Sequence, residues 1–196
     1  MRGLVNKQRL LTLFAELGRA FPHPARLYLT GSAALVMEGV RESVDVDYFC
    51  QVSSELEGKF TSVVREVKER LQISLELISP ADFIPLPEGW EGRCRFLERY
   101  DSIDVYLFDP YSIALTKLLR GTNSDLNDVA TQLRGGALEH ARLEGFVEWL
   151  EGRWSLSGWH REGDPDKLRE RLRYGLKTAG RLADPETCPT AFPSSD

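Results

Sequence analysis

Asp45 and Asp47 stand two residues apart in the β-prone run 44–50 (VDVDYFC). Successive side chains of a strand point to opposite faces, so both carboxylates share one face, with Cα atoms roughly 7 Å apart. Val46 points the other way, into a core. A sheet built on this strand is apolar on one face and acidic on the other. Two carboxylates side by side repel and desolvate badly unless a cation lies between them. The run therefore predicts a strand whose acidic face is, taken alone, either a solvated surface or a cation site.

The rest of the chain supplies partners for that strand. Residues 4–19 carry Leu10, Leu11, Leu13, Phe14 and Leu17 at helical spacing, and Pro22 and Pro24 end the helix. Residues 26–30 read as a short buried strand broken by Gly31, with Ser32 placed to cap a helix over 33–38 that Gly39 closes. A helix over 54–71 follows, then strands over 73–78 and 103–108. Residues 79–94, with Pro80, Pro85, Pro87 and Gly89, read as a structured loop. Asp109-Pro110 opens a helix to about Arg120, and further helices are predicted over 123–133, 138–151 and 164–182. Strands and helices mix in the first 120 residues and helices alone follow. That order predicts an α+β (mixed α/β) core over residues 1–135, a helical region over 136–182 and a disordered tail over 183–196.

Composition limits the partners. A chain of 196 residues buries a real core without staples. Cys50, Cys94 and Cys188 lack metal or disulfide spacing and read as reduced thiols. No secretory leader pattern and no run of about 18 apolar residues is present, which predicts a cytoplasmic protein with no membrane segment. The net charge of −5 argues against broad coating of nucleic acid but leaves room for a local basic patch. Residues 161–182 hold seven Lys/Arg against four Asp/Glu, a stripe able to touch RNA or to face solvent. Trp149, Trp154 and Trp159 read as core or subunit packing.

At Gly31-Ser32 a strand ends, a glycine permits close approach, and a helix begins. Such a turn is either an ordinary βα connection capped by serine or an anion site, where backbone N–H groups point at a phosphate and the Ser32 hydroxyl adds a hydrogen bond. Magnesium suits the acidic pair because it takes hard oxygen ligands and leaves positions for phosphates. Two such metals about 3.5–4 Å apart steady the attacking and leaving oxygens of a displacement at phosphorus.

Thr30-Gly31-Ser32, then twelve residues, then Asp45-Val46-Asp47-Tyr48 resembles the signature of the nucleotidyltransferase superfamily with the polymerase-β-like fold. Thr30 departs from it, an apolar residue being usual there. Within that superfamily, GSAALVMEGVRESVDVDYF, with Arg41 and Ser43 before the acidic pair, resembles small bacterial proteins related to AbiE-type toxins. DPYSIALTKLLRGTNSDLNDV, with Lys117, Asp125 and Asp128, resembles a second segment of that group. The resemblance covers about residues 27–135. It implies a magnesium-dependent transfer of NMP from an NTP to a hydroxyl on RNA, protein or a small molecule. It also implies a toxin-like role beside an antitoxin partner.

Under that resemblance Asp45 and Asp47 hold metal, and Gly31 and Ser32 hold phosphate. The superfamily usually adds a third carboxylate. Glu76, alternating with Leu75 and Leu77, is the first choice, and Asp104, alternating with Ile103 and Val105, is its rival. Lys117, on an apolar helix, is placed to reach a triphosphate or to snorkel at the surface. Asp125 and Asp128 either position Lys117 or metal, or serve the helix N-terminus. The alternative function is a nucleotide-sensing or protein-interaction module that keeps the fold without catalysis.

Overall fold

The computed structural model describes residues 3–153 and 164–184. The chain divides into two compact units, Met1–Asp82 with Glu88–Asp109, and Phe83–Pro87 with Pro110–Asp196. Of the expected tail over 183–196, Ala183 is instead the last residue of a helix, and 185–196 lie outside the described residues, as do Trp154, Trp159 and Cys188.

The first unit contains α1 (Lys7–Ala20), β1 (Ala25–Leu29), α2 (Ala33–Met37), β2 (Asp45–Gln51), α3 (Glu57–Leu71), β3 (Ser74–Leu77), α4 (Trp90–Arg93), β4 (Arg95–Tyr100) and β5 (Ile103–Leu107). The strands form one mixed sheet in the order β3-β2-β1-β5-β4. β1 runs antiparallel to β2 and parallel to β5, β2 runs parallel to β3, and β4 and β5 are antiparallel. The fold class is α+β, as the order of elements predicts.

One face of this sheet carries the core. Leu27 and Leu29 of β1, Val46 and Tyr48 of β2, and Val105 and Leu107 of β5 meet Leu13, Phe14 and Leu17 of α1 and Phe60, Val64 and Val67 of α3. Each such side chain, fully buried, contributes about 1.5–3 kcal/mol. α1 starts at Lys7 because Asn6 caps it, its side chain accepting from the Arg9 N–H. Just before it, Val5 exchanges two backbone hydrogen bonds with Ser43 and so belongs to the sheet end. The Arg9 guanidinium ties the segment down by donating to the carbonyls of Gly3, Leu4, Leu71 and Gln72.

Two features differ from the sequence expectation. β4 is a strand that the hydrophobic pattern does not announce. Its sequence RFLERY leaves most positions exposed, as a charged edge strand allows. The turn that makes it a hairpin is the pair Asp101-Ser102, with Asp101 in the left-handed region at φ 51°. Leu77, on the same side of its strand as buried Leu75, is 61% exposed, because β3 is an edge strand and Leu77 is its last residue. Within the expected loop 79–94, Pro80–Asp82 forms a 3-10 turn and Trp90–Arg93 forms α4. Cys50 and Cys94 are free thiols, and burial pushes Cys94 up to about 11, which keeps it protonated and inert.

The second unit is helical: α5 (Pro110–Arg120), α6 (Asn123–Arg134), α7 (His140–Arg153) and α8 (Pro165–Ala183). Its core joins Leu115 and Leu118, Leu126 and Val129, Leu143 and Val147, and Leu172 and Leu176. Thr122 caps α6 through the Asp125 N–H, and Asp164 caps α8 ahead of Pro165. No helix among the described residues is long and apolar enough to cross a membrane.

Candidate active site

The sheet register sets the site. Asp45 lies opposite Ser74, and Asp47 opposite Glu76, in the parallel pairing of β2 with β3. The Thr30 N–H donates to the Asp47 carbonyl at 3.0 Å, which continues the same row into the end of β1. Residues paired across strands face the same side. Glu76, Asp47 and Asp45 therefore converge on the face away from the core, with one carboxylate oxygen of each within 4.8 Å of the others. Asp45 and Asp47 are half-buried and Glu76 is exposed.

Asp104 is elsewhere. It pairs in register with Arg26, four residues before Thr30, which puts it about 13 Å along the strands from the acidic row. Its carboxylate accepts from Arg99 Nε at 2.6 Å and Nη2 at 2.9 Å. Those hydrogen bonds hold it below the usual carboxylate range.

The turn between β1 and α2 closes over the same point. Gly31 has φ +59°, and a Cβ placed on it would lie 2.0 Å from Asp47 Oδ2. Glycine is required twice here, by the backbone conformation and by the carboxylate that occupies the side-chain position. Gly31→Ala is expected to strain the turn by about 1–2 kcal/mol and to push Asp47 out of the row. Thermal melting with and without magnesium checks this: the variant should fold but lose any magnesium-dependent shift.

Ser32 occupies the N-cap position of α2, but its side chain makes no capping hydrogen bond. Its Oγ lies 3.1 Å from Ser43 Oγ instead, and Ser43 Oγ donates to Asp45 Oδ1 at 3.4 Å. The expected serine cap is thus replaced by a contact toward the acidic row. α2 has only five residues, so its macrodipole contributes little at this turn. Thr30, the departure from the usual apolar residue, is buried, and its hydroxyl is satisfied by donating to the Ile78 carbonyl at 3.1 Å. Ser43 is the site residue that sequence spacing undervalues. The period of two that pairs Asp45 with Asp47 reaches back to it.

Lys117 lies in the second unit and is buried. Its ammonium donates to Asp128 Oδ2 at 2.7 Å and lies 3.5 Å from Asp125 Oδ1. Asp125 also takes the Arg120 guanidinium and the Thr122 hydroxyl. Burial pushes Asp125 up, but the hydrogen bonds from Arg120 and Thr122 and the charge of Lys117 outweigh it and hold the carboxyl below its ordinary value.

Three carboxylates gathered from two neighbouring strands, beside a glycine turn, form an all-oxygen donor set that fits a hard divalent cation. A mixed sheet with its main apolar core on one face, and an aromatic cluster around buried Tyr28 together with this acidic row on the other, is consistent with a nucleotidyltransferase-like fold. Residues 8–148 match the family model described as "Nucleotidyltransferase of unknown function (DUF6036)", well over half of the chain. The chain belongs to that family. Searches of curated proteins and of solved structures found no match.

Proposed function

We propose that the protein transfers an NMP group from an NTP to a hydroxyl acceptor at the row formed by Asp45, Asp47 and Glu76. The observation that carries this reading is the convergence of those three carboxylates on one sheet face against the Gly31 turn. Asp45 and Asp47 would hold magnesium, which when bound neutralises triphosphate charge. The Gly31-Ser32 turn offers backbone N–H groups and a hydroxyl to the phosphates. Glu76, the exposed member, accepts the proton of the attacking hydroxyl. That oxygen bonds to the α-phosphorus as the bond to pyrophosphate breaks.

RNA is the acceptor class that one surface favours. Lys167, Arg171, Tyr174 and Arg181 recur along α8 at helical spacing, Lys177 flanks them, and Tyr174 is 64% exposed. Cations around an exposed aromatic ring suit a nucleic-acid strand, whose phosphates and bases they contact together. The resemblance to AbiE-type toxins adds a working partner, an antitoxin, to the proposal.

The test is label transfer. The protein is incubated with each α-labelled NTP, magnesium and total cellular RNA, beside Asp45→Ala/Asp47→Ala. Labelled RNA from the wild type alone is the expected result. Tyr174→Ala/Lys177→Glu should weaken RNA binding while leaving nucleotide binding intact. Tight nucleotide binding with no transfer to any acceptor favours the non-catalytic sensing module instead.

A further inference from the structure

We propose that Ser43 is a positioning residue whose hydroxyl couples Asp45 to Ser32, so that cation binding at the acidic row and phosphate binding at the turn strengthen each other. This rests on the cation and nucleotide reading given above.

Ser43 is held firmly in place. It is 6% exposed, and its backbone is locked by two hydrogen bonds to Val5, at 2.7 Å and 3.0 Å. Its hydroxyl lies between Asp45 Oδ1 at 3.4 Å and Ser32 Oγ at 3.1 Å. A carboxylate oxygen accepts, so the Ser43 proton goes to Asp45, and the Ser43 oxygen accepts the proton of Ser32. Ser32 then turns its only proton inward and its lone pairs outward. In that state it has no donor to give a phosphate.

The chain of hydroxyls has a second arrangement. With Asp45 Oδ1 committed to a divalent cation, Ser43 turns its proton toward Ser32, and Ser32 is released to donate outward. Only hydroxyl rotors move, and the longer of the two contacts, to Asp45, is the one given up. The same chain works in reverse. A phosphate that draws the Ser32 proton makes Ser43 donate to Ser32, which frees the Asp45 oxygen. Coupling of this kind is reciprocal by thermodynamic necessity.

Calorimetric titration of the full chain tests this, with magnesium chloride and the tightest-binding α,β-methylene nucleoside triphosphate as probes. The readout is the ratio of nucleotide affinities with and without saturating magnesium. Ser43→Ala and Ser32→Ala should each lower that ratio by about fivefold to tenfold, the worth of one hydrogen bond. The double variant should lose no more than either single one, because the two hydroxyls act as a unit. Ser43→Thr, which keeps the hydroxyl, should stay within about twofold of wild type. Should Ser43→Ala fold poorly, half-buried Ser32→Ala alone must show the lost coupling. Additive losses, or an unchanged ratio in Ser32→Ala, overturn the relay while leaving the nucleotide site standing. A wild type with no magnesium-dependent nucleotide binding overturns both.

Discussion

Asp47→Asn is expected to melt at a higher temperature than wild type without ligand, and to lose both the magnesium-induced stabilisation and the transfer proposed for the acidic row. The three carboxylates of the acidic row approach within 4.8 Å of one another. At that separation each pair of unit charges repels by about 1–3 kcal/mol between a water-like and a surface-like dielectric. Exposure of Glu76 favours the lower figure. Asparagine keeps the shape beside Gly31 and removes the central charge, and with it two of the three pair repulsions, so about 2 kcal/mol of repulsion disappears. A gain of that size raises the melting temperature by about 4–8 °C in a chain of this length. The same change removes an anionic ligand from the centre of the row, with an expected loss of transfer on the order of a hundredfold to a thousandfold. Thermal melting across a magnesium series, beside label transfer, reads both effects. A variant that melts lower and still responds to magnesium would remove Asp47 from the cation site.

The largest effect on stability is expected in the second unit, at the buried network of Lys117, Asp125 and Asp128. Lys117 and Asp128 are both almost fully buried and joined at 2.7 Å. Asp128→Ala leaves the Lys117 ammonium buried beside Asp125, at 3.5 Å. Removing one partner of a buried pair costs about 3–5 kcal/mol. Lys117→Met/Asp128→Leu, which removes both charges and fills the space, should recover most of that loss. Urea unfolding of the three chains measures it, and a single variant within about 1 kcal/mol of wild type would contradict the burial argument. Asp125 gives the network a pH signature. Its folded-state pKa lies below the ordinary value of 3.8, so the stability it contributes is present above that pH. It is lost as pH falls below 3.8 toward the folded value. Asp125→Asn should flatten the acid limb of a stability-against-pH curve in that window.

How much of this was legible beforehand varies from element to element. Local rules decide α1, β2, α3, β5 and the four helices of the second unit, where caps and hydrophobic period agree. β4 escaped them. An edge strand is paired on one side and half-solvated, so RFLERY has no need of an alternating pattern, and only the turn at Asp101 betrays the hairpin. Ser32 shows a similar override. Its position before α2 predicts a cap, but a five-residue helix offers little to cap, and the nearby Ser43 hydroxyl is the better partner.

Asp45 and Asp47 share a face because the strand period is two, and no tertiary information is needed to say so. The choice between Glu76 and Asp104 as their neighbour is different. Both alternate with core residues, so period alone treats them alike. Strand order and register decide it: β3 lies beside β2 with Glu76 opposite Asp47, while Asp104 lies two strands away, opposite Arg26 and held by Arg99. Gly31 follows the same division. Its residue type announces a turn, but the reason no side chain fits there is the Asp47 carboxylate, which the antiparallel return of β2 beside β1 brings to it. The sequence by itself determined the acidic pair and the glycine turn, because each is a matter of local geometry. The meeting of both with Glu76 and Ser43 is a property of the folded sheet, because pairing between strands distant in sequence depends on the whole core that orders them.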